Sequence, residues 1–140
     1  MDYATVTAEA LGRSLRGRGV NLLCRDVRTM ADFLNRSFCL SIHRLSADFA
    51  LARHGAVLIQ LHRDGTFARH PLHALLPEAP PRGVGAQVYL FGIDPDLACA
   101  RAEDAGGHVI EPAADKPHGL REATILSPDG YAFSPAVPLE

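Results

Sequence analysis

The sequence predicts an α+β protein of two βαβββ modules, preceded by an extra N-terminal helix. Three observations predict it. Short apolar runs bounded by Gly, Pro or Asp read as strands. Two stretches with helical spacing each follow an Asp placed to cap them. The order of one strand, one helix and three strands then occurs twice along the chain.

Residues 1–18 form an N-terminal helical appendage. Thr7 is a capping residue, and Leu11 and Leu15 make an apolar i, i+4 pair. Arg13, Arg16 and Arg18 lie in or beyond the last turn, where cations suit the helix dipole. Two apolar positions are too narrow a stripe for a membrane-surface helix. The expected place for this helix is the edge of a sheet or a partner subunit.

The remaining fold is expected as one domain over residues 19–136. Its first module is 19–62, with a strand at Val20 to Cys24. Asp26 caps a helix from Val27 to about Phe38, whose buried side carries Met30, Phe33, Leu34 and Phe38. Strands follow at Leu40 to Leu45, Asp48 to Arg53 and, after the His54-Gly55 turn, Ala56 to His62. Residues 63–82 are a linker: Asp64-Gly65 makes a turn, 71–76 hold one helical turn, and Pro77, Pro80 and Pro81 stiffen the rest.

The second module, 83–136, starts with an apolar strand from Ala86 to Ile93. Asp94 caps a helix whose first residue is Pro95, and Leu97, Ala100, Ala102 and Ala105 fall along it. Gly106-Gly107 ends it in the left-handed conformation. A short strand at His108 to Ile110, a Pro-rich loop, a strand at Arg121 to Leu126, the Ser127-Pro128-Asp129-Gly130 turn and a strand at Tyr131 to Ala136 complete the unit. Neither module alone buries both faces of its sheet, so the two must pair.

Three strings in the second module carry a family resemblance. They are G-I-D-P-D-L-A-x-A-R-A-x-x-A-G-G from Gly92, H-G-x-R-E-A-x-I from His118, and S-P-D-G-Y from Ser127. Together they resemble the second module of the vicinal oxygen chelate superfamily, which holds glyoxalase I, extradiol dioxygenases, fosfomycin-modifying thiol transferases and bleomycin-binding proteins. The resemblance implies curled mixed sheets (the glyoxalase/bleomycin resistance fold) and a cup between paired modules. It also implies where metal-using members hold their ion. Counting back seven residues from Asp94 and from Asp26 gives Gln87 and Gly19. Counting five on from Asp129 gives Ser134, and the matching position in the first module is Gln60.

Gly19 has no side-chain donor, Ser134 is a poor one, and Gln60 and Gln87 are neutral amides. That set lacks the carboxylates or imidazoles a catalytic divalent ion requires. No metal site and no cofactor are expected. His62 shares the face of Gln60 and is either a wall residue or, with a shifted register, a ligand. His118 sits at the cup's rim or faces solvent. Alternation adds Asn21, Tyr89 and Phe91 to the lining. The expected ligand-binding set is Asn21, Gln60, His62, Gln87, Tyr89, Phe91, His118 and Ser134, a composition suited to a small organic molecule.

The nearest relatives by this resemblance are the metal-free, bleomycin-resistance-like members, which bind without catalysis and pair as homodimers. Three alternatives stay open: a metal-dependent lyase or dioxygenase, a metal-free enzyme using His62 or Tyr89 as acid or base, and a structural homodimer. The net charge of −2 argues against a nucleic-acid surface. No apolar run approaches the length of a membrane span. Cys24, Cys39 and Cys99 show no zinc spacing and read as reduced, buried thiols. With no signal-peptide pattern at the start, a cytoplasmic protein is expected.

Overall fold

A computed structural model describes all residues from Met1 to Glu140. Helix α1 (Ala8–Ser14) is capped by Thr7, whose hydroxyl accepts from the Ala10 N–H. The first module follows as β1 (Val20–Cys24), α2 (Val27–Phe38), β2 (Ser41–His43), β3 (Phe49–His54) and β4 (Val57–Arg63). The second is β5 (Gly83–Phe91), α3 (Pro95–Ala102), β6 (His108–Asp115), β7 (Leu120–Leu126) and β8 (Tyr131–Pro138). Each module is one four-stranded sheet, in the orders β1-β4-β3-β2 and β5-β8-β7-β6. The pairs β1–β4 and β5–β8 are parallel and the others antiparallel.

The two long helices start where the acidic caps place them. Asp26 accepts from Thr29 N–H at 3.0 Å, and Asp94 accepts from Asp96 and Leu97 N–H at 2.9 and 3.2 Å. Both helices lie against one face of the sheets, and a single buried cluster joins the modules. Phe33 and Phe38 of α2 reach Phe133 of β8, at ring-centroid distances of 6.1 and 5.6 Å. Leu22, Cys24, Ile59 and Leu61 of the first sheet and Leu90 and Ile125 of the second belong to the same cluster. The opposite faces of the two curled sheets are left for other uses.

The junction between modules is nearly two-fold. Leu23 and Phe91 each stand three residues before a capping Asp. The Leu23 carbonyl accepts from Tyr131 Oη at 2.8 Å, and the Phe91 carbonyl lies 3.0 Å from His54 Nε2. Arg82, whose side chain is 1% exposed, locks the linker there. It pairs with both oxygens of Asp64 at 2.8 Å and donates to the carbonyls of Leu23 and Glu78. Arg25 closes the other side on the buried Asp129 carboxylate at 2.7 Å.

Several expectations need correction. Strand β2 stops at His43 because Arg44 takes a positive φ of 55°. Strand β6 does not stop at Ile110 but continues through Pro112 to Asp115. It is an edge strand with irregular register, where the missing proline N–H costs no ladder bond. Helix α3 ends at Ala102, before Ala105, and only Gly106 is left-handed (φ 91°). Gly107 serves instead as a close approach, since a Cβ there would collide with Phe33. The linker holds two 3₁₀ turns (Asp64–Phe67 and Pro71–Leu75) in place of one. Of the cysteines only Cys24 is buried; Cys39 is exposed, and all three are free. Most consequentially, α1 packs neither on a sheet edge nor away from the fold. It lies over the concave face of the first sheet.

Candidate functional site

Strand pairing fixes which side chains share the concave faces, because directly opposed residues point the same way. In the first sheet one row is Asn21, Gln60 and Leu51, and the next is Leu23, His62 and Phe49. In the second sheet Gln87 stands beside Ala132, Tyr89 beside Ser134, and Phe91 beside Ala136 and Glu122. The eight residues expected to line one cup therefore fall into two groups, and no hydrogen bond joins them. Asn21, Gln60 and His62 form one group; Gln87, Tyr89, Phe91, His118 and Ser134 form the other.

Gln60 and His62 of the first group lie under α1, with Asn21 exposed beside His62. Leu11 is buried there, and the helix, together with Arg44, Phe49, Leu51, Leu58, Gln60 and His62, lines a cavity of about 350 Å³. An adjoining cavity of about 570 Å³ shares Leu15, Leu58 and Gln60 and extends to Tyr3, Arg16, Arg18 and Gly19. The segment before α1 is pinned by Arg44, which donates to the carbonyls of Val6 and Tyr3. Tyr3 packs against His43, with Arg53 over its ring at 5.7 Å.

His62 is held from three sides. Its Nδ1 lies 2.6 Å from Asn21 Oδ1, and its ring meets Phe49 and Phe67 at 4.9 and 5.2 Å. An amide oxygen only accepts, so Nδ1 carries the proton and Nε2 is left as the acceptor. Burial among these rings pushes the imidazole below its ordinary pKa, so it is neutral at physiological pH.

The second group is open. Tyr89 and Phe91 stack with ring centroids 5.1 Å apart and an 11° interplanar angle, and Phe91 is 60% exposed. Gln87 Nε2 donates to the fully buried Ser134 hydroxyl at 2.6 Å. His118, on the turn before β7, reaches Glu122 Oε1 at 2.7 Å. Glu122 is 5% exposed, and its carboxylate near Tyr89 pushes that phenol above its ordinary pKa.

The metal positions implied by the motifs do not fit an ion. Gln87 and Ser134 bond to each other, Gly19 offers no donor, and Gln60 lines the cavity under α1. Two neutral amides and a hydroxyl do not balance a divalent charge. Elsewhere, no three His, Cys, Asp or Glu side chains converge as a metal site requires.

Sequence reasoning did not single out Arg44, Phe49, Leu51, Leu58 or Glu122. For Phe49 and Leu51 the signal was present, since pairing β3 with β4 sets them opposite His62 and Gln60. For Arg44 there was none, because left-handed backbone normally announces itself by Gly or Asn.

The architecture is the glyoxalase/bleomycin resistance fold. The chain is similar to a glyoxalase/bleomycin resistance protein/dioxygenase family enzyme from Burkholderia phytofirmans PsJN, with TM-score 0.71 and 18% identity over 86% of this chain and 96% of that one. It is similar to a glyoxalase/bleomycin resistance protein/dioxygenase from Nocardioides, with TM-score 0.64 and 20% identity over 94% and 90% of the two chains. It also resembles the fosfomycin resistance protein FosX from Mesorhizobium loti, with TM-score 0.62 and 12% identity over 89% and 94%. No protein-family model and no curated protein matches the sequence. No helix is long and apolar enough to cross a membrane.

Proposed function

We propose that the protein binds a small organic molecule between α1 and the concave face of the first sheet, without a tightly held catalytic metal. The observation that carries this is the cavity of about 350 Å³, with apolar walls and a few polar groups, Gln60 and His62 among them. Its size and mixture of surfaces match those of small-molecule sites. The poor fit of Gly19, Gln60, Gln87 and Ser134 to an ion supports the metal-free part of the reading. The three free cysteines support a reducing, cytoplasmic setting.

A thermal-shift screen against metabolites and antibiotics, with native mass spectrometry of copurifying molecules, tests it. A ligand at about 100 times its dissociation constant adds roughly 2.7 kcal/mol. The shift is expected to vanish in Leu58→Trp, which fills the cavity, and to survive in Gln87→Ala. A shift that survives Leu58→Trp and is lost in Gln87→Ala would move the site to the second sheet.

One observation favours a second reading, acid–base chemistry on the open face. The buried Glu122 carboxylate sits between the His118 imidazole and the Tyr89 phenol, an arrangement able to move a proton. Turnover abolished by Glu122→Gln and by Tyr89→Phe would establish it. For assembly, a homodimer is the expected state. The exposed Val84 and Phe91 of β5 and Ile110 of β6 support it by offering apolar surface to a second copy. Sedimentation showing a monomer at micromolar concentration would reject the dimer.

A further inference from the structure

We infer that the molecule held under α1 is an organic anion, a carboxylate or a group of like charge on an apolar body, with its head bonded to Arg44. The inference rests on the reading of that cavity as a binding site and names the chemistry it selects.

Charge in this region is one-sided. The cavity under α1 and its neighbour are lined by Arg44, Arg16 and Arg18 and by no Asp or Glu. Elsewhere on this chain the pattern is different. The two other hollows that carry arginine hold a carboxylate as well, Asp104 beside Arg36 and Arg101 and Asp32 beside Arg28; Arg16, Arg18 and Arg44 have no carboxylate partner. In a chain whose net charge is −2, three guanidinium groups around two adjoining hollows that hold no carboxylate mark a place that attracts anions.

Arg44 is also oriented. Its Nη1 donates to the carbonyls of Val6 and Tyr3, which fixes the plane of the guanidinium. Its Nε and Nη2 have no protein acceptor, and neither is a buried unpaired atom, so they remain reachable. Together those two nitrogens present the fork that matches a carboxylate. The residue holds φ at 55°, a conformation that costs a non-glycine residue stability and persists only where side-chain contacts enforce it.

The rest of the lining sets what is attached to the head. Leu11, Phe49 and Leu51 form an apolar wall, so the body is hydrocarbon or aromatic. His62 is neutral and already donates through Nδ1 to Asn21, so it adds no second cation and leaves a hydrogen-bond acceptor. That combination suits a single negative charge with a hydroxyl or amide N–H further along the molecule.

The test compares acids with uncharged partners of the same shape by calorimetry. The probes are octanoate against octanamide, benzoate against benzamide, and 2-naphthoate against 2-naphthamide. At least one acid is expected to bind about 10- to 100-fold more tightly than its amide, as a charge-assisted bond to arginine provides. Arg44→Gln should bring that acid to the level of its amide measured on the same variant, and Arg44→Lys should keep part of the preference. If Arg44→Gln does not fold, the Arg16→Gln/Arg18→Gln double variant serves, with a loss of acid affinity and of its salt dependence expected. Amides binding as well as acids would overturn the inference and leave the cavity as a binding site. No binding of any probe, acid or amide, would overturn both.

Discussion

The hydroxyl of Tyr131 and the carbonyl of Leu23 meet at 2.8 Å, tying the first strand of one module to the last strand of the other. The phenol is half-buried, and burial pushes its pKa from an ordinary 10.0 up to about 12. Above pH 10 the unfolded chain releases this proton and the folded chain keeps it, so stability falls as pH rises through that interval. The Cys24 thiol, also pushed up by burial, acts in the same direction. Tyr131→Phe should lower stability by about 1 kcal/mol at neutral pH and flatten the alkaline decline. Urea unfolding between pH 10 and 12 reads both effects; an unchanged slope would remove Tyr131 as its source.

The Arg82–Asp64 pair predicts an unequal response to losing either partner. Removing Asp64 leaves a guanidinium that is 1% exposed, whereas removing Arg82 leaves a carboxylate that is 26% exposed. Breaking such a pair costs about 3 kcal/mol, and Asp64→Ala should cost more than Arg82→Met. Equal losses in denaturant unfolding would contradict this account of the junction.

Gly130 is needed for two reasons at once. It holds φ at 79°, and a Cβ there would meet the Pro81 backbone and stand 3.0 Å from the Arg82 nitrogen. Gly130→Ala should cost about 2 kcal/mol or more and lower the melting temperature accordingly. A neutral outcome would mean that the linker yields easily at Pro81.

Deleting residues 2–15 should uncover Phe49, Leu51 and Leu58. Loss of the buried Leu11 alone accounts for about 2 kcal/mol. The truncated chain is expected to bind a hydrophobic dye and to lose ligand-dependent stabilisation together. Full retention of that stabilisation would show that α1 is not part of the site.

Glu122→Gln should return the Tyr89 phenol toward its ordinary pKa, because the neighbouring carboxylate is the largest cause of its rise. An ultraviolet absorbance titration of this variant against the parent follows the change. No movement would show that Tyr89 and Glu122 are not coupled in solution.

Local chemistry made much of the fold legible. Val20 to Cys24 lies between Gly19 and a capping Asp, and both capping aspartates and the 127–130 turn act over four residues or fewer. What was not legible depends on distance in sequence. Nothing within α1 states that its Leu11 settles against Leu51 and Leu58. Pro112 argues for a loop unless it is known that β6 is an edge strand. Glu122 follows Arg121 as though both were solvated, yet alternation on β7 turns the carboxylate inward, beside Tyr89. Counting and alternation placed seven of the eight candidate residues on strand faces, with His118 left at the rim or in solvent, but counting does not show that they fall on two sheets with α1 over one of them.

The helix over the first sheet bears on entry as well as on affinity. Helix α1 is joined to β1 through residues 15–19, a short tether containing Gly17 at φ 74° and Gly19. A roof that must lift before a molecule reaches the cavity floor at Leu51 would gate entry. Rapid mixing should therefore give an association rate that rises with ligand concentration and then levels off, its plateau being the rate of lifting. Uptake would then be limited by the protein's own clock and not by encounter.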